Sequence, residues 1–263
     1  MSLLDVKGLG ISFGGVRAVH DVSFSVRPGE IVSVIGPNGA GKTTLFNMVS
    51  GVYRPLSGEV RLDGEVVTGM EPHLLARRGL SRTFQNLQIF PAMSALENVA
   101  TGFHLQENGS LWADLLCLPS ARRRTRRSEE QARALLERVG MGKAADFEAG
   151  SLSYGSLKRL EIARALAVQP RLLLLDEPAA GCNAVETEEI EKLIADVARS
   201  GIAILLVEHD MKMVMRISKH IVVLDHGEKI AEGEPAVVAR HPKVIEAYLG
   251  AAAKEEAARH AER

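Results

Sequence analysis

Cysteine is nearly absent from this 263-residue chain: Cys117 and Cys182 are the two present, with no CxxC pair and no histidines at ligand spacing. A disulfide framework or a cysteine-based metal cluster is therefore not expected. Charge of one sign is lacking too, because 32 Lys and Arg stand against 33 Asp and Glu, a formal net charge of −1. With no global field toward polyanions, no nucleic-acid partner is expected. Long hydrophobic runs are also missing. The longest, "RLLLL" before Asp176 and "IAILLV" from Ile202 to Val207, are too short to cross a bilayer and suit buried strands. "MSLLDVKGLGISF" has no basic region followed by an apolar stretch, so a secretory signal is not expected and the chain is expected on the cytosolic side. What is present is ordinary for a folded domain, 46% hydrophobic and 25% charged residues, with length for one large α/β domain or a core carrying a smaller subdomain.

The first third reads as strands: the alternation in "DVSFSVR", the buried run "EIVSVIG", and "GEVRLDG" closed by a DG turn. "KTTLFNMVSG" fits a helix ending at Gly51. Capping-box patterns, "SALE" from Ser94 and "SEEQ" from Ser128, predict two helix starts, so residues 86–157 are expected to form a helical insert. Beyond Pro170 strands alternate with helices again: "RLLLLDE", a helix opening at Asn183, "IAILLVEHD" and "HIVVLDHGEKI". This pattern predicts a mainly parallel sheet covered on both faces, after a β-rich opening. The tail 251–263 is Ala-rich and charged.

"GPNGAGKT", from Gly36 to Thr43, matches G-x-x-x-x-G-K-[ST] directly after an apolar strand and before a helix, the context that identifies a phosphate-binding P-loop. Gly36, Gly39 and Gly41 let the backbone curl so that its N–H groups face phosphate oxygens, and the helix N-terminus adds partial positive charge. Lys42 is expected on the β and γ phosphates and the Thr43 hydroxyl on Mg²⁺, with Pro37, Asn38, Ala40 and Thr44 completing the loop. Such a loop needs an acid at the end of another strand for the metal, and Asp176 supplies it. Glu177 follows at once, placed to polarise the attacking water as general base. His209 ends the next strand, where an imidazole can contact the γ-phosphate. Gln85 sits where a predicted strand gives way to the insert, a joint from which an amide can reach both metal and water.

A second phosphate-type helix end is less easily explained. In "SLSYGSLKRLEIARAL", Ser153 and Gly155 head a helix with Leu157, Leu160 and Ala163 at helical spacing, so a hydroxyl and N–H groups face outward far along the chain from the P-loop. Either the insert folds back over the P-loop, or each chain of a two-fold dimer caps the phosphate held by the other. Taken together, "GPNGAGKT", "FQN", "LSYGS", "LLLLDEP", "AAGCN" and "VEHD" resemble the nucleotide-binding subunit of an ATP-binding cassette (ABC) transporter over residues 3–249.

The resemblance implies a single ATPase domain of the α/β P-loop NTPase fold over 1–250, with 1–85 and 158–250 as mainly parallel core and N-terminal antiparallel β subdomain and 86–157 as the inserted helical subdomain. It implies ATP and Mg²⁺ as cofactors, Phe13 stacked on adenine with Val19 beside it, and Ser153, Tyr154, Gly155 and Ser156 as a signature motif completing the site across a dimer. The usual signature LSGGQ is altered at Tyr154 and Ser156, and Asn183 replaces an aspartate of the loop SALD. The LxYG signature and "AAGxN" loop resemble the ATP-binding subunits of bacterial branched-chain amino acid importers; urea and amide importers share the pattern, and the lipopolysaccharide-export ATPase is partly similar. Implied partners are a second ATP-binding subunit, two permease subunits and, indirectly, an extracytoplasmic solute-binding protein. The implied location is peripheral, on the cytoplasmic face of a bacterial membrane. Leu87, Ile89, Phe90 and Met93 are candidates for a groove receiving a permease helix. The five arginines between Arg122 and Arg127 read as a solvated face. A soluble non-transport ABC ATPase and an inactive ATP-binding cassette are the competing classes, the latter opposed by Glu177 and His209.

Overall fold

The alternating N-terminal segments pair as expected. In the computed structural model, which describes residues 2–106 and 119–248, β1 (Leu4–Phe13) and β2 (Val16–Val26) form an antiparallel hairpin from Leu4 opposite Val26 to Phe13 opposite Val16. The chain then leaves for a second sheet through β3 (Ile31–Ile35) and returns with β4 (Ser57–Leu62) and β5 (Glu65–Val66). Their DG turn has both residues at positive φ, Asp63 at 54° and Gly64 at 80°, a backbone twist that matches flanking antiparallel strands. The first sheet runs β2-β1-β4-β5. Expectations for Cys117 and for the tail from 251 onward lie outside the described residues.

The second sheet holds the site. It adds β6 (Leu80–Arg82), β7 (Leu172–Asp176), β8 (Ala203–Val207), β9 (His220–Asp225) and β10 (Glu228–Gly233) in the order β10-β9-β3-β8-β7-β6. Every pair is parallel except β10 with β9. β3, β7 and β8 are buried at every residue, which is what continuous apolar runs require when both faces are covered. The two faces divide their side chains cleanly. Leu172 and Leu174 of β7 join the core shared with the first sheet, whereas Leu173 and Leu175 join the core under the helices.

Helices follow the strands: α1 (Lys42–Val49), α2 (Pro72–Arg77), α3 (Ala95–Ala100), α4 (Pro119–Arg138), α5 (Tyr154–Ala167), α6 (Ala184–Arg199) and α7 (Met211–Ile217). The capping box at Ser94 is present, with reciprocal bonds between Ser94 and Glu97, and Asn183 caps α6 in the same way with Glu186. The helix start expected at Ser128 is not there. α4 begins at Pro119 and carries the arginines into its body, because Ala, Arg and Glu are strong helix formers and Ser128 is simply buried mid-helix. The boundary expected at residue 157 falls inside α5, whose apolar periodicity carries it to Ala167. Among the described residues no helix is long and apolar enough to cross a membrane.

Candidate active site

The P-loop links β3 to α1 at the centre of the parallel sheet, where the carboxyl ends of the strands open a crevice. Gly36 (φ 151°), Gly39 (φ 81°) and Gly41 (φ 98°) all need a conformation that L side chains rarely adopt. At two of them packing adds a second constraint. A Cβ on Gly36 would lie 2.1 Å from the Leu224 carbonyl oxygen, and one on Gly41 2.5 Å from that of Ala18. No side chain caps α1 at Gly41, so the N–H groups of its first turn are left for an anion. Lys42 Nζ donates to the carbonyls of Gly36 (2.7 Å) and Pro37 (2.9 Å), which holds the ammonium over the loop. Burial pushes the Lys42 pKa down, opposed by the nearby Glu177 and Asp176 carboxylates.

In front of the loop lies a cleft of about 510 Å³. Its lining brings Asn38, Gly39, Ala40, Gly41, Lys42, Thr43 and Thr44 together with Gln85 and Glu177, as the sequence predicts. Gln85 Nε2 donates to Glu177 Oε2 at 3.4 Å. Glu177 has φ 50°, unusual for a residue other than glycine and a strain of about 1 kcal/mol or more. It is held there by its N–H to the Val207 carbonyl (2.9 Å) and by Lys158 Nζ on its own carbonyl (3.4 Å). Strain fixed from both sides at the last turn of β7 aims a carboxylate into the cleft.

Asp176 is buried beside it, and burial raises its pKa against the pull of the Arg82 guanidinium, whose Nη2 donates to Oδ2 at 3.1 Å. No group of three or more His, Cys, Asp or Glu among the described residues could hold a metal unaided. The ion that accompanies nucleotide phosphates in a P-loop site is magnesium. Such an ion takes hard oxygen ligands, with one or two carboxylates and the rest from other oxygens, phosphates and water, and a hydroxyl, a carboxylate and an amide oxygen on Thr43, Asp176 and Gln85 are of that kind.

Other expected residues fall elsewhere. Phe13 ends β1 with its ring 5.4 Å from that of Tyr53, edge to face, and does not line the cleft. Val19 is 2% exposed and packs beneath the P-loop, so it is corrected from ring contact to core; its neighbours Val16, Arg17 and Ala18 line the cleft instead. His209 follows β8 with its side chain 64% exposed, 3.8 Å from Glu208 and outside the cleft lining. His226, which no sequence signal marked, does line it, because the Gly227 N–H bonds the Ala40 carbonyl and draws the β9–β10 turn against the P-loop.

The second phosphate-type helix end is formed as expected but apart from the first. Ser153 caps α5, its hydroxyl accepting from the Ser156 N–H, and none of Ser153, Tyr154, Gly155 or Ser156 lines the P-loop cleft. Glu186 of α6 sits on it. Its Oε1 accepts from the Gly155 N–H (3.2 Å) and the Ser153 hydroxyl (3.5 Å), while Oε2 accepts from the Asn183 N–H (3.1 Å). A Cβ on Gly155 would meet that carboxylate at 2.4 Å, so glycine permits the contact. Arg82 and Glu186 were both missed in the sequence, since an arginine in a strand and a glutamate in a helix carry no signal until the fold brings them to the site.

Comparison with known proteins agrees with this geometry. Residues 19–180 match the family model for ABC transporters, and residues 228–254 match that of the branched-chain amino acid ATP-binding cassette transporter. The chain is 47% identical to the high-affinity branched-chain amino acid transport ATP-binding protein BraF of Pseudomonas aeruginosa, and 45% identical to LivG of Escherichia coli. Each alignment covers 95% of this chain and 98% of the relative. A solved nucleotide-free ATP-binding cassette from an ABC transporter superposes with a TM-score of 0.82 at 32% identity, over 94% of this chain and 99% of the other. A cassette solved as a dimer in a post-hydrolysis state with ADP and phosphate superposes at 0.73 with 25% identity, over 88% and 98%. The chain belongs to the ABC transporter family and is one of its ATP-hydrolysing cassettes.

Proposed function

We propose that this cassette drives import of branched-chain or related amino acids, working as a dimer on the cytoplasmic face of a bacterial membrane beneath two permease subunits that receive cargo from a solute-binding protein. The observation that carries the reading is the presence of two phosphate-type helix ends that do not share a cleft within one chain. A two-fold dimer satisfies both, each α5 end closing the partner's P-loop, and the solved dimeric cassette with ADP and phosphate supports that arrangement. The proposed division is a nucleotide core with its β subdomain, residues 1–85 and 158–250, and a helical signature subdomain, 86–157, whose last residue lies within α5. Nearly full-length similarity to branched-chain amino acid transport ATP-binding proteins supports the cargo.

The proposed roles follow from position. The loop from Gly36 to Thr44 cradles the phosphates, Lys42 neutralises them, and Glu177, aligned by Gln85, takes a proton from the attacking water. His209 is assigned to the γ-phosphate in the closed dimer, where its exposed ring can turn in. Magnesium, held by Thr43, Asp176 and Gln85, would supply positive charge to the β and γ phosphates. Phe13 stays the candidate for adenine stacking, with Val16 and Ala18 beside it. The segment carrying Leu87, Ile89, Phe90 and Met93, with the Phe90 ring exposed, is where a permease helix would seat. Labelled leucine and labelled urea, offered to vesicles holding the assembled transporter with ATP inside, test the cargo. Leucine uptake is expected; uptake of urea alone, or none, contradicts it.

Because Glu186 occupies the donors of Ser153 and Gly155, an arriving phosphate must displace it. Glu186→Gln keeps the capping bond to Asn183, which glutamine also serves, but removes the charge that competes. ATP-induced dimerisation of this variant is expected at about fivefold lower ATP. A need for more ATP would mean that Glu186 orients these donors rather than competing for them.

A further inference from the structure

Arg82 is a buried cation at the end of β6, three residues before Gln85, and its side chain is 7% exposed. Its side-chain hydrogen bonds join two parts of the site, the end of β7 and the helix α1 with its C-cap. Nη2 donates to Asp176 Oδ2 (3.1 Å) at the end of β7, while Nη1 donates to Asn47 Oδ1 (2.7 Å) on α1, the helix that begins with the P-loop lysine, and to Ser50 Oγ (2.6 Å) at its C-cap. The guanidinium also lies 5.8 Å from the Phe46 ring centroid and 5.2 Å from that of Phe84. Its Nε is buried without a hydrogen-bond partner. Leaving a buried donor unsatisfied is costly, so the guanidinium sits where its two terminal nitrogens are best used.

We propose that Arg82 is the positioning residue of the metal carboxylate: it ties Asp176 to α1, fixes the distance between Asp176 and Thr43, and by engaging Oδ2 presents Oδ1 to the ion. The planar fork matters here. One guanidinium can bond a carboxylate and two acceptors on a helix at set angles, which a lysine ammonium on a flexible stem does not reproduce. Neighbours that orient a metal-binding carboxylate affect affinity by about 10- to 100-fold when removed. The inference rests on the assignment of Asp176 as a metal ligand.

The test separates metal binding from folding and from nucleotide binding. In the Glu177→Gln background, binding of a fluorescent N-methylanthraniloyl ATP is measured first in EDTA and then against increasing Mg²⁺. Arg82→Lys is expected to leave affinity in EDTA within about twofold and to raise the Mg²⁺ midpoint by about tenfold or more. Asn47→Ala, which removes one tether while Arg82 and Asp176 remain, is expected to shift the midpoint in the same direction by a smaller factor. Equal losses with and without Mg²⁺ would reduce Arg82 to a packing role and overturn the proposal, as would an unchanged midpoint in both variants. Asp176→Asn distinguishes the two levels. If it leaves the midpoint unchanged, the metal assignment fails; if it raises the midpoint and Arg82→Lys does not, the positioning role alone fails.

Discussion

Replacing Glu177 with glutamine is expected to lower ATP hydrolysis by at least about 100-fold while ATP affinity changes little. Removal of a positioned general base typically costs two to four orders of magnitude. The substitution keeps the shape of the side chain and its contact with Gln85, so the loss is specific to proton transfer. Three features favour Glu177 over Asp176 for the proposed role of base. It lines the cleft, it is fixed at φ 50° by bonds to Val207 and Lys158, and Gln85 approaches its free oxygen. Asp176, in contrast, is buried and committed to Arg82. Steady-state phosphate release and equilibrium ATP binding check the prediction together. Hydrolysis at the parent rate would remove Glu177 from the mechanism, and lost binding would make it a structural residue.

Gly36→Ala is expected to be the most damaging single change in the loop. The added methyl carbon would stand 2.1 Å from the Leu224 carbonyl oxygen, at a φ of 151°, so β3 or β9 must shift. Strain and overpacking of this kind cost about 3 kcal/mol together, or about 5–10 °C of melting temperature in a domain of this size. ATP binding should fall beyond detection, because the displaced peptide belongs to the phosphate cradle itself. Gly39→Ala provides the contrast, having open space around its Cβ and only the φ of 81° to oppose it. A smaller stability loss, about 1 kcal/mol, is expected there. Thermal melts with nucleotide titration settle the order; equal effects at the two positions would refute the packing argument.

Much of this was legible before any coordinates, for reasons that differ from residue to residue. The P-loop and the positions of Asp176 and Glu177 could be read because the local chain places them: a buried strand ends, and the carboxylates stand at its tip. Ser153 and Gly155 were legible as a helix start. The start expected at Ser128 was not real, since a capping pattern has no force inside a stretch of arginines, alanines and glutamates that is helical already. Arg82, Glu186 and His226 were hidden because their importance comes from approaches over 94, 31 and 187 or so residues of chain, which only the sheet order creates. Val19 shows the opposite error: it is buried in the core, and its neighbours Val16, Arg17 and Ala18 meet the cleft.

In the proposed dimer, "LSYGS" completes the site of a second chain. The direct measurement is the mass of the Glu177→Gln protein by light scattering, without nucleotide and with saturating ATP and magnesium. A monomer that doubles in mass only with ATP is the predicted result, and it should stay monomeric when Ser153 is also changed to arginine. A Glu177→Gln protein that binds ATP with magnesium and yet keeps the monomer mass, alone and mixed with a related cassette subunit, would contradict the account.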